Sequence, residues 1–407
     1  MNERPPTEPT HLLQSLDALR GFDMMWIVGG DVVGGALAHL HGGVVTRTIA
    51  IQLNHVDWVG VHFYDLIFPL FVFIMGVSTV FSLTNILERE GRAAVVKRIL
   101  RRGILLFVLG LIYSGGFTNP WPDLRLMGVL NRIALCYTVG GLLFVFCKPR
   151  ALAAIAVALL LGYWALLEFV PFPDVRPVPG GDSVITKEGG FSSVSQLNMA
   201  STNMIHGSCI QGVNLTDYLD QKYLPGRKYD GTYDPEGILS TLPAIVTGLL
   251  GIFAGLLIQN KSMSGEKKAA WLLGAGAAGV ALGFLWGLEF PVIKKIWTSS
   301  YVLVAGGYSA LLLGAFYWIV DVKKWRTWCQ PFVWIGMNPI TLYLTSNFLG
   351  GLGFHKLATR LAGGPVKSFF DAHIAAGCGE LVISAIGVAL FIWFARFLYC
   401  RKIFLRL

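Results

Sequence analysis

The pattern of apolar and polar positions is dominated by long apolar stretches, several of them about 18 to 25 residues long, the length that crosses a bilayer as a helix. Reading along the chain, these stretches predict membrane spans near residues 14–40, 62–85, 98–115, 126–147, 151–170, 238–260, 269–288, 297–320, 329–350 and 375–399. The expected fold is therefore an all-α, polytopic integral membrane bundle of about ten transmembrane helices. The connections alternate in character. One set is basic: Arg89, Arg92, Lys97, Arg98, Arg101 and Arg102, then Lys148 and Arg150, then Lys261, Lys267 and Lys268, then Lys323, Lys324 and Arg326, and last Arg401, Lys402 and Arg406. The positive-inside rule places these and both termini in the cytoplasm, and turns 41–61, 116–125, 171–237, 289–296 and 351–374 outward. The expected organisation is a cytoplasmic tail at 1–13, helices one to five over 14–170 with a candidate catalytic loop at 41–65, an outward loop or lid at 171–237, and helices six to ten with a short cytoplasmic tail over 238–407. Loop 171–237 carries Pro171, Pro173, Pro177 and Pro179 ahead of a mixed polar and aromatic stretch, and is far longer than a turn requires.

Composition agrees with the pattern. Hydrophobic residues are 54% of the chain and charged residues 14%, which excludes a soluble domain. The net charge of +9 resides mainly in the short loops, so it reports orientation rather than nucleic-acid binding. Six cysteines (Cys136, Cys147, Cys209, Cys329, Cys378, Cys400) are scattered without metal-ligand spacing, so neither a disulfide framework nor a metal site is expected. Met1 to Thr10 is polar and Pro-rich, and the first apolar stretch holds Asp17, Arg20 and Asp23; it is expected to remain as a helix rather than be cleaved as a leader.

One stretch concentrates the chemistry. Residues 54–76 open with a polar cluster of His55, Asp57, His62 and Asp65 and run directly into an apolar segment. Ionisable groups at the mouth of a span are costly to keep dry and mark a functional site by default. A histidine titrating at about 6.5 can take a proton from a nucleophile and return it, as acyl transfer to an amine or hydroxyl requires. His55 fits that role. Asp57 and Asp65 are both candidates to fix its tautomer, and Asp65 equally reads as the cap of the second span, with Pro69 in its first turn. His62 reads as structural, and His39 and His41 as helix-end residues.

Other polar positions admit two readings. Asp17 and Arg20 share a helix face, as an ion pair or with Arg20 turned to an anionic cosubstrate. Asp31 is a carboxylate near the outer half of the first span. Asp234-Pro235 is a helix-entry signal, and Asp234 with Glu236 also stands where it can meet the His55 cluster. Arg132, beside Asn131, needs a partner inside its span, an anionic ligand among the options. Thr298-Ser299-Ser300-Tyr301 is a polar run inside another, and Asn338 suits interhelical hydrogen bonding.

Seven segments carry a resemblance: Ser15 to Gly21, His55 to Gly76, Gly128 to Tyr137, Tyr233 to Gly255, Ile296 to Lys323, Gly336 to Tyr343 and Tyr399 to Phe404. Together they resemble the membrane domain of the heparan-α-glucosaminide N-acetyltransferase family and its bacterial relatives. The most specific pieces are His55-Val56-Asp57-Trp58 leading to Asp65-Leu66-Ile67-Phe68-Pro69, and Tyr233 to Leu239. The resemblance implies an acyltransferase that moves an acetyl group from acetyl-CoA to the amine of a terminal glucosamine across the membrane, with His55 as general base or transient acetyl carrier. The expected catalytic set is His55, with Asp57 and Asp65 as its candidate partners. Phosphates of acetyl-CoA would be held by basic groups among Arg20, Arg125, Arg132, Lys294 and Lys295, with Asn131 beside them, and the acceptor by Asp31, Trp58, Asp234 and Glu236. The partners implied are a small-molecule or glycan substrate and the lipid bilayer of an inner membrane, with a homodimer as a permitted assembly and no nucleic acid. Two departures stand out: Gly29-Gly30-Asp31 and Val59 occupy positions where the lysosomal relative carries asparagines, and its soluble N-terminal domain has no expected counterpart here. The alternative class is a proton-coupled transporter or flippase of a sugar or lipid-linked sugar, since many spans with internal Asp, Arg and His also describe carriers.

Overall fold

The computed structural model describes residues 13–40, 43–118, 120–176, 198–199, 201–350 and 353–405. The tail at Met1 to Thr10, His41, Pro177, Pro179 and Arg406 lie outside the described residues. The fold is helical, with a two-residue strand pair, β1 (Phe172–Pro173) and β2 (Met204–Ile205), paired antiparallel. Contacts divide the chain into two units. One comprises Thr48–Gln259 and Gly274–Ala310, the other Met1–Arg47, Asn260–Leu273 and Leu311–Arg406.

The first of these units contains α3 (Ile67–Tyr113), α4 (Val129–Phe146), α5 (Pro149–Phe169), α6 (Leu215–Tyr223) and α7 (Thr241–Gln259). α3 spans 47 residues and covers two expected spans, because the chain kinks at Gly91 and then continues as helix. Gly91 has φ +81°, a left-handed conformation that glycine adopts at little cost. Leu83 before it, Val95 and Ile99 after it, and Tyr137 and Val145 of α4 form a common core. α3 and α7 cross closely enough that a Cβ on Gly76 would overlap the Gly248 carbonyl, and one on Gly251 the Phe73 carbonyl. Small residues at such crossings let backbones approach in a bilayer, where packing rather than hydrophobic exclusion drives association.

The second unit contains α1 (Gln14–His39), α10 (Gln330–Gly336), α11 (Pro339–Phe348), α12 (Gly353–His373) and α13 (Cys378–Cys400). α1 packs on α10 through Gly21 and Gly336, each facing the other helix's backbone. Phe22 meets Phe316 and Phe332 edge-on or tilted. The span expected over 329–350 is two short helices broken at Asn338-Pro339, since proline cannot donate to the preceding turn. Asn338 binds the C-terminal chain instead of a neighbouring span: its amide donates to the Ile403 carbonyl at 2.8 Å and its oxygen accepts from the Leu405 N–H at 3.3 Å. α8 (Gly265–Trp286) and α9 (Ser299–Phe316, continued by a wider turn to Val322) each contribute residues to both units.

Among the described residues seven helices are long and apolar enough to cross a membrane: 63–113, α4, α5, α7, α8, 299–322 and α13. This is an all-α, polytopic membrane fold. The other expected spans are present as the second half of α3, as α1, whose Asp17, Arg20, Asp23 and Asp31 interrupt its apolar run, and as the broken pair α10 and α11. Three segments expected as loops hold helices among the described residues: α2 (Val44–Gln52), α6 within 171–237, and α12. α12 alternates Lys356, Arg360, Lys367 and Asp371 with leucine and phenylalanine, and an amphipathic helix of this kind averages out of a hydropathy profile.

Candidate active site

The loop at residues 53–62 enters α3 through a short 3₁₀ turn, Phe63–Leu66. Asp65 is the third residue of that turn. Its Oδ2 accepts the His62 N–H at 3.0 Å and the Val56 N–H at 3.1 Å, which caps the turn and folds the loop back on itself. Its Oδ1 faces the other way, 2.7 Å from Nδ1 of His55 and 3.2 Å from Nζ of Lys294. The cap and the functional reading are therefore one carboxylate using both oxygens. Asp65 is essentially buried, with 1% of its side chain exposed, whereas His55 is 51% exposed. A buried carboxylate is tolerable when donors surround it, and this one has four.

An ionised carboxylate only accepts, so with Asp65 ionised Nδ1 of His55 donates its hydrogen to Oδ1 and Nε2 keeps the lone pair of the neutral ring. Lys294, which also only donates, then gives its hydrogen to Asp65 Oδ1 rather than to Nδ1. The His55 ring packs on Tyr64 with centroids 4.7 Å apart. His62 turns its Nδ1 to the Asn54 carbonyl at 2.9 Å, a structural contact. From behind, the Tyr301 hydroxyl donates to the Asp65 carbonyl at 2.7 Å. The polar run that contains Tyr301 is legible in the sequence; its contact with Asp65, 236 residues away, is not.

The segment at 290–298 braces the same loop. The Gly60 N–H donates to the Val292 carbonyl at 2.8 Å, and Val59 pairs with Ile293 in an antiparallel bridge. Ile293 and Ile296 sit in a core with Tyr163, Leu167 and Phe290, against which Trp58 and Leu239 pack. Trp297 occupies the left-handed region at φ 52° although it is a bulky residue. Such strain persists only where surroundings over-determine it. Trp297 is held by Thr247, whose hydroxyl accepts its indole N–H at 3.2 Å, by the rings of Phe68 and Tyr301, and by the Arg132 guanidinium 5.0 Å above its ring.

The segment before α7 meets the site through Trp58. Its indole N–H donates to the Cys209 carbonyl at 2.7 Å, and its ring meets Tyr233 edge-on at 5.9 Å. Beyond Tyr233, Arg125 forks onto Asp234 at 2.8 and 2.7 Å and reaches Glu236 at 2.6 Å. Arg125, expected to hold a phosphate, and Asp234 and Glu236, expected to hold an acceptor, are thus joined in one ion-pair cluster. Burial pushes Glu236 above the ordinary carboxylate range, with the Asp234 charge adding to it and Arg125 opposing. Asp220, on α6, accepts the Ile238 N–H at 2.8 Å, and burial together with the Asp234 charge raises it to about 7. Nothing in the sequence singles out Asp220, whose role depends on a loop folding over it.

The remaining expected site residues are dispersed. Arg132 is fully buried and donates to the Gly237 carbonyl and the Ser240 hydroxyl, as the buried start of α4 requires. Asn131 donates to the Phe107 carbonyl of α3 at 2.9 Å. Lys295 pairs with Asp230 at 3.3 Å. Asp57 is exposed and makes no hydrogen bond among the described residues, so Asp65 is the carboxylate that meets His55. Arg20 and Asp31 belong to the other unit: Arg20 pairs with Asp17 at 3.0 Å and donates to the Gly336 carbonyl at 3.2 Å, and Asp31 is exposed. Among the described residues no group of three or more His, Cys, Asp or Glu is placed to hold a metal ion.

Residues 13–178, which include His55 and Asp65, match the family model described as heparan-alpha-glucosaminide N-acetyltransferase, catalytic. The similarity is to an acetyltransferase family. The heparan-alpha-glucosaminide N-acetyltransferase of Homo sapiens is 29% identical over 374 residues, covering 82% of this chain and 52% of the human protein. That of Mus musculus is 26% identical, over 96% of this chain and 60% of the mouse protein. The chain thus spans between half and three fifths of the length of these curated relatives.

Proposed function

We propose that this protein is an integral membrane acetyltransferase that moves an acetyl group from acetyl-CoA to the amine of a glucosamine-like sugar, with His55 as its base. The observation that carries the reading is the 2.7 Å contact between Nδ1 of His55 and the buried Asp65 carboxylate, on a half-exposed ring at the mouth of a membrane helix. Similarity to the acetyltransferase family supports it. Asp65 fixes the ring's orientation and stabilises the imidazolium that forms, and Nε2 takes the proton of the attacking amine. The amine nitrogen bonds to the acetyl carbon, the carbon–sulfur bond breaks, and the departing thiolate recovers the proton from Nε2. If Nε2 itself attacks first, the carbon–sulfur bond breaks, CoA thiolate leaves and an acetyl-imidazole forms; the amine then attacks its carbonyl carbon, the carbon–Nε2 bond breaks, and the freed Nε2 takes the amine proton.

The loop bearing His55 faces the periplasmic side of an inner membrane in this reading, because the basic connections alternate with it along the chain. The acceptor is then a periplasmic amino sugar of a cell-wall, capsular or imported glycan. Purified protein in liposomes, given isotopically labelled acetyl-CoA and glucosamine, is expected to release labelled N-acetylglucosamine. Brief incubation without acceptor, followed by acid quench, separates the two routes: label retained by wild type and lost in His55→Ala marks the acetyl-imidazole, and label-free protein marks direct transfer. Failure to acetylate any of a panel of amino sugars overturns the assignment.

A further inference from the structure

We propose that Lys294 is a catalytic residue, its ammonium stabilising the negative charge that develops on the acetyl carbonyl oxygen beside His55. The inference rests on the acetyltransferase reading and changes the role that sequence suggests for this lysine, a contact to a phosphate of CoA. Nζ of Lys294 lies 3.0 Å from Nδ1 and 3.5 Å from Nε2 of His55, and 3.2 Å from Oδ1 of Asp65. It is drawn against the ring that carries the proton and the carboxylate that orients it, with only 18% of its side chain exposed. A phosphate clamp needs its ammonium directed away from such partners.

The backbone holds Lys294 there. Val292 accepts from Gly60, and Ile293 bridges Val59, so the two residues before Lys294 are zipped to the loop that carries His55. On its other side the Lys294 carbonyl accepts the Trp297 N–H at 2.9 Å, closing the turn in which Trp297 takes its left-handed conformation. The Thr298 hydroxyl accepts the Ile293 N–H at 3.0 Å. Both ends of the turn are fixed, and strain of this kind gathers where a side chain must be aimed.

Charge balance gives the aim a purpose. Asp65 and Lys294 cancel, so the unprotonated triad is neutral overall. As the amine attacks the thioester, the carbonyl electrons move onto oxygen while the amine proton moves to Nε2. The oxyanion that results forms within reach of Nε2, where a fixed cation lowers the energy of the tetrahedral intermediate more than that of the thioester. Collapse of the intermediate breaks the carbon–sulfur bond and returns the Nε2 proton to the thiolate. The same oxyanion arises if Nε2 attacks first, so the proposal holds on either route.

The test compares K294M and K294R with wild type by steady-state release of CoA thiol, and by calorimetric binding of free CoA. K294M is expected to lose about 10²- to 10³-fold in kcat, as when an oxyanion donor is removed, with KM for acetyl-CoA and affinity for CoA within about threefold of wild type. K294R, which keeps the charge, is expected to recover part of kcat. A preserved kcat with KM and CoA affinity weakened tenfold or more assigns the lysine to a phosphate and overturns the proposal, as does wild-type behaviour throughout. Absence of thiol release from wild type itself strikes the underlying reading, while the CoA titration still separates a phosphate contact from none. Should K294M not fold, K294R carries the same comparison: a reduced kcat at unchanged KM is expected, and the reverse overturns the proposal.

Discussion

His55 and Asp65 are ten residues apart in the chain and 2.7 Å apart in space, joined across a loop that Asp65 itself closes by accepting two backbone N–H groups. One oxygen of the carboxylate builds the loop and the other meets the His55 ring, so in the proposed mechanism the fold and the chemistry depend on the same side chain. This coupling separates two substitutions that a sequence reading treats alike.

His55→Ala removes a half-exposed ring, and its melting temperature is expected to lie within about 2 °C of wild type while turnover falls by about 10²- to 10⁴-fold. Asp65→Asn presents an amide nitrogen to at least one of four donors, which costs about 1–3 kcal/mol for an unsatisfied buried group and also lowers turnover. Thermal unfolding in detergent beside steady-state rates tests the pair. Equal melting temperatures for the two variants would contradict the double role of Asp65.

Asp220 makes stability fall as pH rises. Burial lifts it to about 7, well above the usual carboxylate value, so the unfolded chain releases this proton near pH 4 and the folded chain only near pH 7. Between those values the folded state binds more protons, and stability declines as pH rises through the window. Its contribution is fully in place as a penalty above about pH 7. The melting temperature of wild type is expected to drop between pH 5 and pH 8 by more than that of Asp220→Asn, and parallel curves would contradict the assignment.

Arg125 is expected to act on the loop rather than on the cosubstrate. It satisfies Asp234 and Glu236 together, and truncation to methionine leaves two buried carboxylates without their cation, a loss of about 3–5 kcal/mol for a broken buried pair. Faster proteolysis of the segment around residues 210–240, with the affinity for CoA retained, is the expected result. Lost CoA affinity in a variant whose loop stays protected would return Arg125 to the phosphate role.

Gly251→Ala places a methyl group on the Phe73 carbonyl at the crossing of α3 and α7. Overpacking of this kind costs about 1–3 kcal/mol. A lower melting temperature is expected there, whereas Gly274→Ala, with open space around the added carbon, is expected to match wild type.

Much of this fold is legible in the chain because bilayer thickness imposes one length on every span. The stretch expected at 238–260 is α7 at Thr241–Gln259, and that at 126–147 is α4 at Val129–Phe146. Hydropathy averages over a window, so it misses what depends on single residues: the turn at Gly91, the break at Asn338-Pro339 and the amphipathic α12. The polar cluster at 55–65 is equally visible, since charged groups stand out against an apolar helix. Its geometry is not. Sequence leaves Asp57 and Asp65 equivalent as partners of His55, and only the 3₁₀ turn that aims Asp65 inward separates them. Lys294 is 239 residues from His55, and no local pattern announces that they meet.

The most direct test of the acetyltransferase account is release of CoA thiol from acetyl-CoA by purified protein in liposomes, with and without glucosamine, comparing wild type with His55→Ala. The account predicts release that requires the amino sugar and disappears in the variant. Accumulation of a sugar inside proton-loaded liposomes, with acetyl-CoA left intact by both proteins, would contradict it.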